Sequence, residues 1–426
     1  MNVLLVNIPL VWYYTPPTGI FYLKGFLEKN GINCDVLDLN LEYMKKFCIN
    51  HVPPSLPDYT EDDKFDRLVN KNNLIEYFDG YTNNLDEYDV VGFSVHSIQS
   101  LKIFNLIYSI FIEKIKSNTK VVVGGTASYD MNMMTDYSDF EVFNGIGEKF
   151  FSEFFGLGEY TELYNYNQLY NDDIWDTKHL SIFISRGCVN KCNYCYPREY
   201  FNIEHRKNSY IINEIVYMIN KYDKYYFNFI TENINNNPRY INDLSNMLYV
   251  LKKSNKKYSS LKWKSNFAIQ DWSPDYSLLS KSGCYKLNVG IETGCDETRF
   301  SMNKFSTNEQ IIKHLEECRK YNIENKFYIM TGYITETTEQ FNKSNDFYEY
   351  LFSEYSDVIK EVKINMYSHS KGYCKLKNKY NDIVYDINGD WVYGDNTYDI
   401  RLNRLNIIYN LAKKYNLNIR SYIYED

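Results

Sequence analysis

The chain has no stretch of about 18 consecutive apolar residues, so no membrane-spanning helix is expected. Its first residues, MNVLLVNIPLVWYYTPP, are apolar but lack a basic n-region and a small-residue cleavage site. They read as a core strand, not a signal peptide. An excess of basic residues is also missing. The 426 residues carry 47 Lys and Arg against 55 Asp and Glu, a net charge of −8. That balance argues against a general nucleic-acid or anionic-membrane surface. No GxGxxG opens a helix after the first strand, and no GxxxxGKS or GxxxxGKT occurs, so a dinucleotide fingerprint and a P-loop are both excluded. The nine cysteines are odd in number and, one cluster apart, scattered. They make a poor disulfide framework and fit a reducing cytoplasm, where thiols bind metal or pack in cores.

What is abundant is tyrosine: 44 residues, in a chain that is 17% aromatic. Many lie beside Lys and Asn, as in KYDKYYFNF and ENINNNPRY. This reads first as compositional drift toward A/T-rich codons, with stacking on nucleic-acid bases as the alternative.

The length implies two or three domains, and the patterning implies an α/β fold. Over 1–158, apolar runs at 3–6, 34–39, 90–95 and 120–125 alternate with helical patterns at 19–30 and 101–116; 140–155 begins as a strand and ends as a helix. Such alternation predicts a doubly wound, Rossmann-like domain with ligands at the carboxyl ends of a parallel sheet. Residues 50–88, with Pro53, Pro54 and Pro57, read as a loop with short helices. Residues 159–178 are polar and aperiodic and read as a linker. From 179 the rhythm restarts. Strands are expected at 181–187, 225–233, 262–270, 286–293, 325–333 and 361–367, giving a partial (β/α)6 barrel over 179–376. Residues 377–426 are expected to add a small C-terminal region, a short strand pair and a closing helix.

Three cysteines cluster in FISRGCVNKCNYCYPREYF, directly after a strand and Gly187. Cys188, Cys192 and Cys195 are spaced so that one loop can wrap one corner of an iron–sulfur cubane and leave the fourth iron open to a small ligand. Structural zinc, with His205 as the fourth ligand, is the rival. The other cysteines, Cys34, Cys48, Cys284, Cys295, Cys318 and Cys374, form no second motif and read as buried thiols.

CVNKCNYC resembles the CxxxCxxC signature of the radical S-adenosylmethionine superfamily, with Tyr194 as the aromatic before the third cysteine. The resemblance extends over about 180–376. KLNVGIETGCDETRFSMNK is similar to the family's "GIESGSDEVLKLMNK" strand and turn. KFYIMTGYITETTEQ is similar to a "GxPGET" turn, with Gly332, Glu336 and Thr337 retained and Ile334-Thr335 in place of Pro-Gly. MYSHSKGYCKLK resembles an eroded "PGT" turn. YYFNFITEN resembles the second strand, with Thr231, Glu232 and Asn233 where many relatives carry two aspartates. The resemblance implies a 4Fe-4S cluster on Cys188, Cys192 and Cys195. It implies S-adenosylmethionine against Tyr194, Glu232, Asn233, Gln270, Glu292 and Gly332, and reductive cleavage to a 5′-deoxyadenosyl radical. For Glu232 and Glu292 the plain alternative is a solvated carboxylate at a strand end.

NIPLVWYYTPPTGIFYLKGFLEKNG, VVGFSVHSIQS, VVVGGTASYD and FNGIGEKFF resemble, in order, four signatures of the cobalamin-binding domain fused to many of these enzymes. The DxHxxG motif that carries a cobalt-ligating histidine is absent. The resemblance implies cobalamin held by Asn7, Pro9, Ser94, His96, Ser97, Gly124, Gly125, Thr126, Gly145, Gly147 and Glu148. His96 is a candidate cobalt ligand, and a sheet domain serving only as scaffold or substrate dock is the alternative. The activity implied is methylation of an unactivated carbon of a peptide or small metabolite. A radical rearrangement, cyclisation or crosslink, with or without cobalamin, and a zinc-binding interaction protein stand as alternatives. An electron donor such as a flavodoxin or ferredoxin is implied as partner. Neither nucleic acid nor membrane is expected to be one, and the sequence leaves the oligomeric state open.

Overall fold

A computed structural model describes residues 1–9, 16–47, 71–128, 140–160, 166–170, 178–195, 202–367, 380, 382–385 and 390–421. The Pro53–Pro57 stretch, segments 161–165 and 171–177 of the expected linker, and the turn after the sixth expected barrel strand (368–379) lie outside the described residues. The chain divides into two compact units, Met1–Ser181 and Ile182–Asp426.

The first unit is a parallel five-stranded sheet of β1 (Asn2–Asn7), β2 (Asn33–Asp38), β3 (Val90–Ser94), β4 (Lys120–Gly124) and β5 (Glu141–Val142), in the order β2-β1-β3-β4-β5. Its helices are α1 (Thr18–Lys29), α2 (Leu39–Phe47), α3 (Lys71–Asp79), α4 (Ile98–Ile112) and α5 (Gly147–Phe155). The central strand β1 is buried from Val3 to Asn7, as a strand covered on both faces must be. Phe93 of β3 meets Phe104 and Phe111 of α4 edge-on, each pair 5.3 Å apart, at the centre of the core. Each such side chain contributes about 1.5–3 kcal/mol by leaving water. The strand order reverses between β1 and β3, which marks the crevice at their carboxyl ends as the place for a ligand.

A second sheet, which begins at the boundary of the two units, contains all six expected strands: β6 (His179–Phe183), β9 (Tyr226–Ile230), β10 (Lys262–Phe267), β11 (Cys284–Glu292), β12 (Glu324–Thr331) and β13 (Ile359–Met366). A seventh, β16 (Asn418–Ser421), pairs in parallel with β13, so the sheet runs β16-β13-β12-β11-β10-β9-β6. The C-terminal region is therefore part of the barrel sheet as well as an addition to it. It also supplies the expected strand pair, β14 (Val384–Tyr385) and β15 (Trp391–Val392), and the expected helix. The helices are α6 (Asn208–Tyr222), α7 (Pro238–Ser254), α8 (Tyr276–Ser282), α9 (Asp296–Ser301), α10 (Asn308–Lys320), α11 (Thr338–Tyr355) and α12 (Tyr398–Lys414). A two-residue antiparallel ladder, β7 (Ser185–Arg186) with β8 (Glu204–His205), closes the base of the cysteine segment.

Along β9 to β12 apolar and polar residues largely alternate. Phe227, Phe229, Trp263, Leu287, Val289, Ile291, Phe327 and Ile329 are buried under the helices. The intervening residues, polar in the main, line the inner face. Trp263 stacks on Phe229 at 4.9 Å and donates its indole N–H to Ser282 Oγ at 2.9 Å. Under β8, the Arg206 guanidinium is paired with the Glu214 carboxylate of α6, both side chains fully buried. Glu214→Ala would remove this carboxylate from beside the buried guanidinium. It is expected to lower unfolding stability by about 3–5 kcal/mol in a urea titration, with a smaller loss for Glu214→Gln.

Candidate functional site

The cysteine segment starts where Gly187 takes φ +77°, a conformation that favours glycine. A Cβ there would also lie 2.8 Å from the Asn202 carbonyl, so the turn out of β7 excludes other residues. The segment has no regular ladder, and neighbouring strand ends hold it instead. Asn236, just after β9, accepts the Val189 N–H at 3.1 Å and donates to the Gly187 carbonyl at 2.8 Å. At the end of α9, Asn193 donates its backbone N–H to the Met302 carbonyl (2.9 Å) and its side chain to the Ser301 carbonyl (3.0 Å). The Asn303 amide donates to the Lys191 carbonyl. Beyond β10, Gln270 donates to Asn190 Oδ1 at 2.9 Å.

Cys188, Cys192 and Cys195 are free thiols and line one cavity of about 250 Å³ together with Tyr194, Glu232, Glu292 and Lys304. Glu292 ends β11 with φ +61°, where the register with β12 shifts between Gly290 and Glu292. A non-glycine residue held there costs of the order of 1–3 kcal/mol. The strain turns its carboxylate back over the strand: a Cβ on Gly290 would lie 2.2 Å from Glu292 Oε1 and 3.1 Å from Lys304 Nζ. Lys304 Nζ donates to Glu292 Oε1 at 3.2 Å and to Tyr194 Oη at 3.4 Å. The turn at Asn303, φ +59°, delivers that lysine.

Burial pushes the Cys195 thiol up to about 12, helped by Cys192, Cys188 and Glu292 and opposed by Lys304. Burial likewise raises Cys188, and Lys304 again acts the other way. Burial, then Glu292, keeps the Tyr194 phenol protonated. Thiols in this setting become anionic ligands only when a metal cation compensates them.

The other residues expected at S-adenosylmethionine lie beside this cavity, not on its wall. Asn233 Oδ1 accepts the N–H groups of Asn235 and Ala268, each at 2.9 Å, and so ties the end of β9 to that of β10. Its buried Nδ2 has no hydrogen-bond partner. Gln270 reaches the site only through Asn190. Gly332 (φ +72°) makes the turn after β12. Its N–H donates to Glu336 Oε2 at 2.9 Å, and a Cβ would strike Arg401 Cγ at 2.3 Å. The sequence reading passed over Lys304, Asn190, Asn266, Asn288 and Tyr328, all of which line the cavity. A signal existed for three of them: Asn266, Asn288 and Tyr328 are polar positions in strands whose alternate residues are apolar. His205 pairs with Ser185 in the β7–β8 ladder and stacks on Tyr240 at 4.3 Å, off the cavity wall.

In the first unit, every residue expected at cobalamin lies near the carboxyl edge of the sheet. Several are engaged in the fold. Asn7 donates to Asp38 Oδ1 at 2.8 Å, leaving its own buried Oδ1 without a hydrogen-bond partner. Pro9 is buried. Ser97 caps α4 by accepting the Ser100 N–H at 3.1 Å. Gly125 (φ +105°) lets the turn after β4 pass over Val95, whose carbonyl would be 2.2 Å from a Cβ. A Cβ on Gly147 would meet Leu23 at 2.9 Å. Glu148 is buried and accepts from the Tyr166 hydroxyl at 2.6 Å. His96 Nε2 is 2.9 Å from Ser94 Oγ, and burial lowers its pKa to about 4, so the ring is neutral. Gly124 is half-buried; Gly125, Thr126 and Gly145 are exposed and offer backbone to a ligand.

Lys304 lowers the pKa of both Cys188 and Cys195, so Lys304→Met is expected to raise both. Iodoacetamide alkylation of the metal-free protein at a fixed, mildly alkaline pH should be slower at both thiols in this variant. An unchanged rate would show that the ammonium does not act on them.

Residues 182–348 match the Radical SAM superfamily. A comparison with curated proteins finds no match. Among solved structures, the chain is similar to the radical S-adenosylmethionine methyltransferase TsrM from Kitasatospora setae with cobalamin and a 4Fe-4S cluster bound. The TM-score is 0.64 at 17% identity, covering 86% of this chain and 74% of that one. A TsrM structure with tryptophan substrate and the analogue aza-SAM gives 0.62 at 17% identity, over 85% and 72%. The cobalamin-dependent S-adenosylmethionine radical enzyme OxsB, with aqua-cobalamin bound, gives 0.58 at 15% identity, over 89% and 55%. At these identities the likeness is one of fold. Residues 182–348 form a radical SAM domain, in a chain that shares the fold of the cobalamin-dependent radical SAM enzymes TsrM and OxsB.

Proposed function

We propose that this radical SAM enzyme is cobalamin-dependent and methylates an unactivated carbon of a small molecule or peptide. The observation that carries the reading is the set of three free thiols around one cavity, with Glu292 and Lys304 on its wall. Among the described residues, no three ligating groups converge on a single-ion position. Donors spread around a cavity suit a polynuclear cluster better than tetrahedral zinc. Cys188, Cys192 and Cys195 would hold the 4Fe-4S cluster. Glu232 and Glu292 would accept from the amino group of S-adenosylmethionine, and protonated Tyr194 would donate. Lys304 fixes the Glu292 carboxylate and keeps charge near the thiols balanced. The bound cofactors would supply one-electron hydrogen abstraction and, from cobalamin, the methyl group. In the first unit the exposed backbone at Gly125–Thr126 and Gly145, with the unpaired Oδ1 of Asn7, fits a large polar ring system.

A second reading, radical chemistry without cobalamin, is favoured by the structural work done by Ser97, Gly125, Gly147 and Glu148. Corrinoid retention by protein purified and reconstituted anaerobically separates the two. Reduction should be achieved by a flavodoxin or ferredoxin. Mass spectrometry of the product should show a gain of one methylene unit; any other change removes the methyltransferase assignment. Cys188→Ala, Cys192→Ala and Cys195→Ala should each lose iron and the brown thiolate-to-iron absorption, whereas Cys284→Ala should keep both.

A further inference from the structure

The inner face of the barrel continues below the cavity. Asn266, Asn288 and Tyr328 line the cavity, and strand alternation puts Lys264, Lys286 and Lys326 on the same face two residues earlier, about 7 Å toward the strands' amino ends. Lys264 pairs in register with Lys286, so the two lysines occupy neighbouring positions on adjacent strands, and the Lys286 ammonium is turned toward Glu361. One buried carboxylate serves this floor. Glu361 of β13 accepts from Lys286 at 2.6 Å, Lys326 at 2.5 Å and Arg420 of β16 at 3.0 Å. At the floor's edge Glu324, exposed at the first position of β12, pairs in register with Lys286. Lys264 is half-buried and has no hydrogen-bond or ion-pair partner among the described residues. Burial, then Lys286, holds its pKa below the usual lysine range, with Glu361 opposing.

A central strand of a packed barrel would bury its inward residues. Here Lys264 and Lys286 are half-buried and Lys326 is buried, so solvent reaches the part of the floor on β10 and β11. Like charges on adjacent strands are destabilising, and this floor concentrates them inside a chain of net charge −8. An anion seated at Lys264, beside Lys286, would offset the excess positive charge and satisfy the unpartnered ammonium.

The geometry points to an anion subsite at the barrel floor, formed by Lys264 with Lys286 and Lys326. It would bind a carboxylate or phosphate group of a small-molecule substrate whose other end lies at the cysteine-lined cavity. The inference rests on that cavity being the reaction centre. It selects a small anionic compound over a neutral or cationic one. The reach of about 7 Å sets the scale, a few bonds between the anionic group and the cavity.

The test uses the full-length, anaerobically reconstituted chain and isothermal titration with inorganic phosphate, succinate and the uncharged succinamide. Saturable binding of phosphate or succinate, and none of succinamide, is expected; the tighter of the two anions identifies the group. Lys264→Gln should weaken binding about tenfold and Lys264→Arg should restore it, with iron content unchanged in both. Lys264→Gln should also melt higher than the parent when no anion is present, a readout that a misfolded variant fails. No saturable anion binding by iron-loaded protein, or equal binding by Lys264→Gln, overturns the subsite. Normal anion binding by protein that takes up no iron would instead keep the subsite and sink the radical SAM reading of the cavity.

Discussion

Three sulfur donors must surround one space on a segment whose backbone has no ladder of its own. Unpaired backbone polar groups are costly when buried, so the segment needs partners from elsewhere. It finds them at the ends of β9, β10 and α9, through Asn236, Gln270 and the Ser301–Asn303 turn. The thiol positions therefore follow from the barrel. A shift of any of these strand ends would move the donors, which links packing under the helices directly to the site.

The same dependence explains why the inner and outer faces differ so sharply. Outward residues of β9 to β12 bury large apolar side chains that fix strand spacing and register. Inward residues carry amides, lysines and carboxylates, which are tolerable only because they pair or meet solvent. Glu361 pairs with three cations and is held down to about 2 by the two lysines, against the effect of its own burial. Lys304 and Glu292 form a second such pair nearer the cysteines. The lumen is thus graded from a cationic floor to a thiol-lined mouth.

Much of this was legible in the residues. All six barrel strands and the sheet strands of the first unit lie where apolar runs and helical patterns alternate, because covered parallel strands are apolar over their length. The cysteine triad was legible because the spacing itself carries the chemistry. β16 was not: NIRS is four residues and polar, and only its pairing with β13 makes it a strand. Asn233, Gln270 and Gly332 sit at strand ends, as the family resemblance implies. Their side chains or backbone satisfy neighbouring groups, and that use depends on which strand end lies alongside.

The sequence by itself determined which residues face the helices and which face the lumen, since a period of two assigns every strand position once the apolar set is known. It also determined that three thiols can share one loop. Only the tertiary structure decided that Glu292 folds back over Gly290 to meet Lys304, and that one carboxylate answers to Lys286, Lys326 and Arg420. These contacts join residues 12, 75, 35 and 59 positions apart. No local pattern encodes such a separation; sheet register and the positive-φ turns at Glu292 and Asn303 bring the charges together.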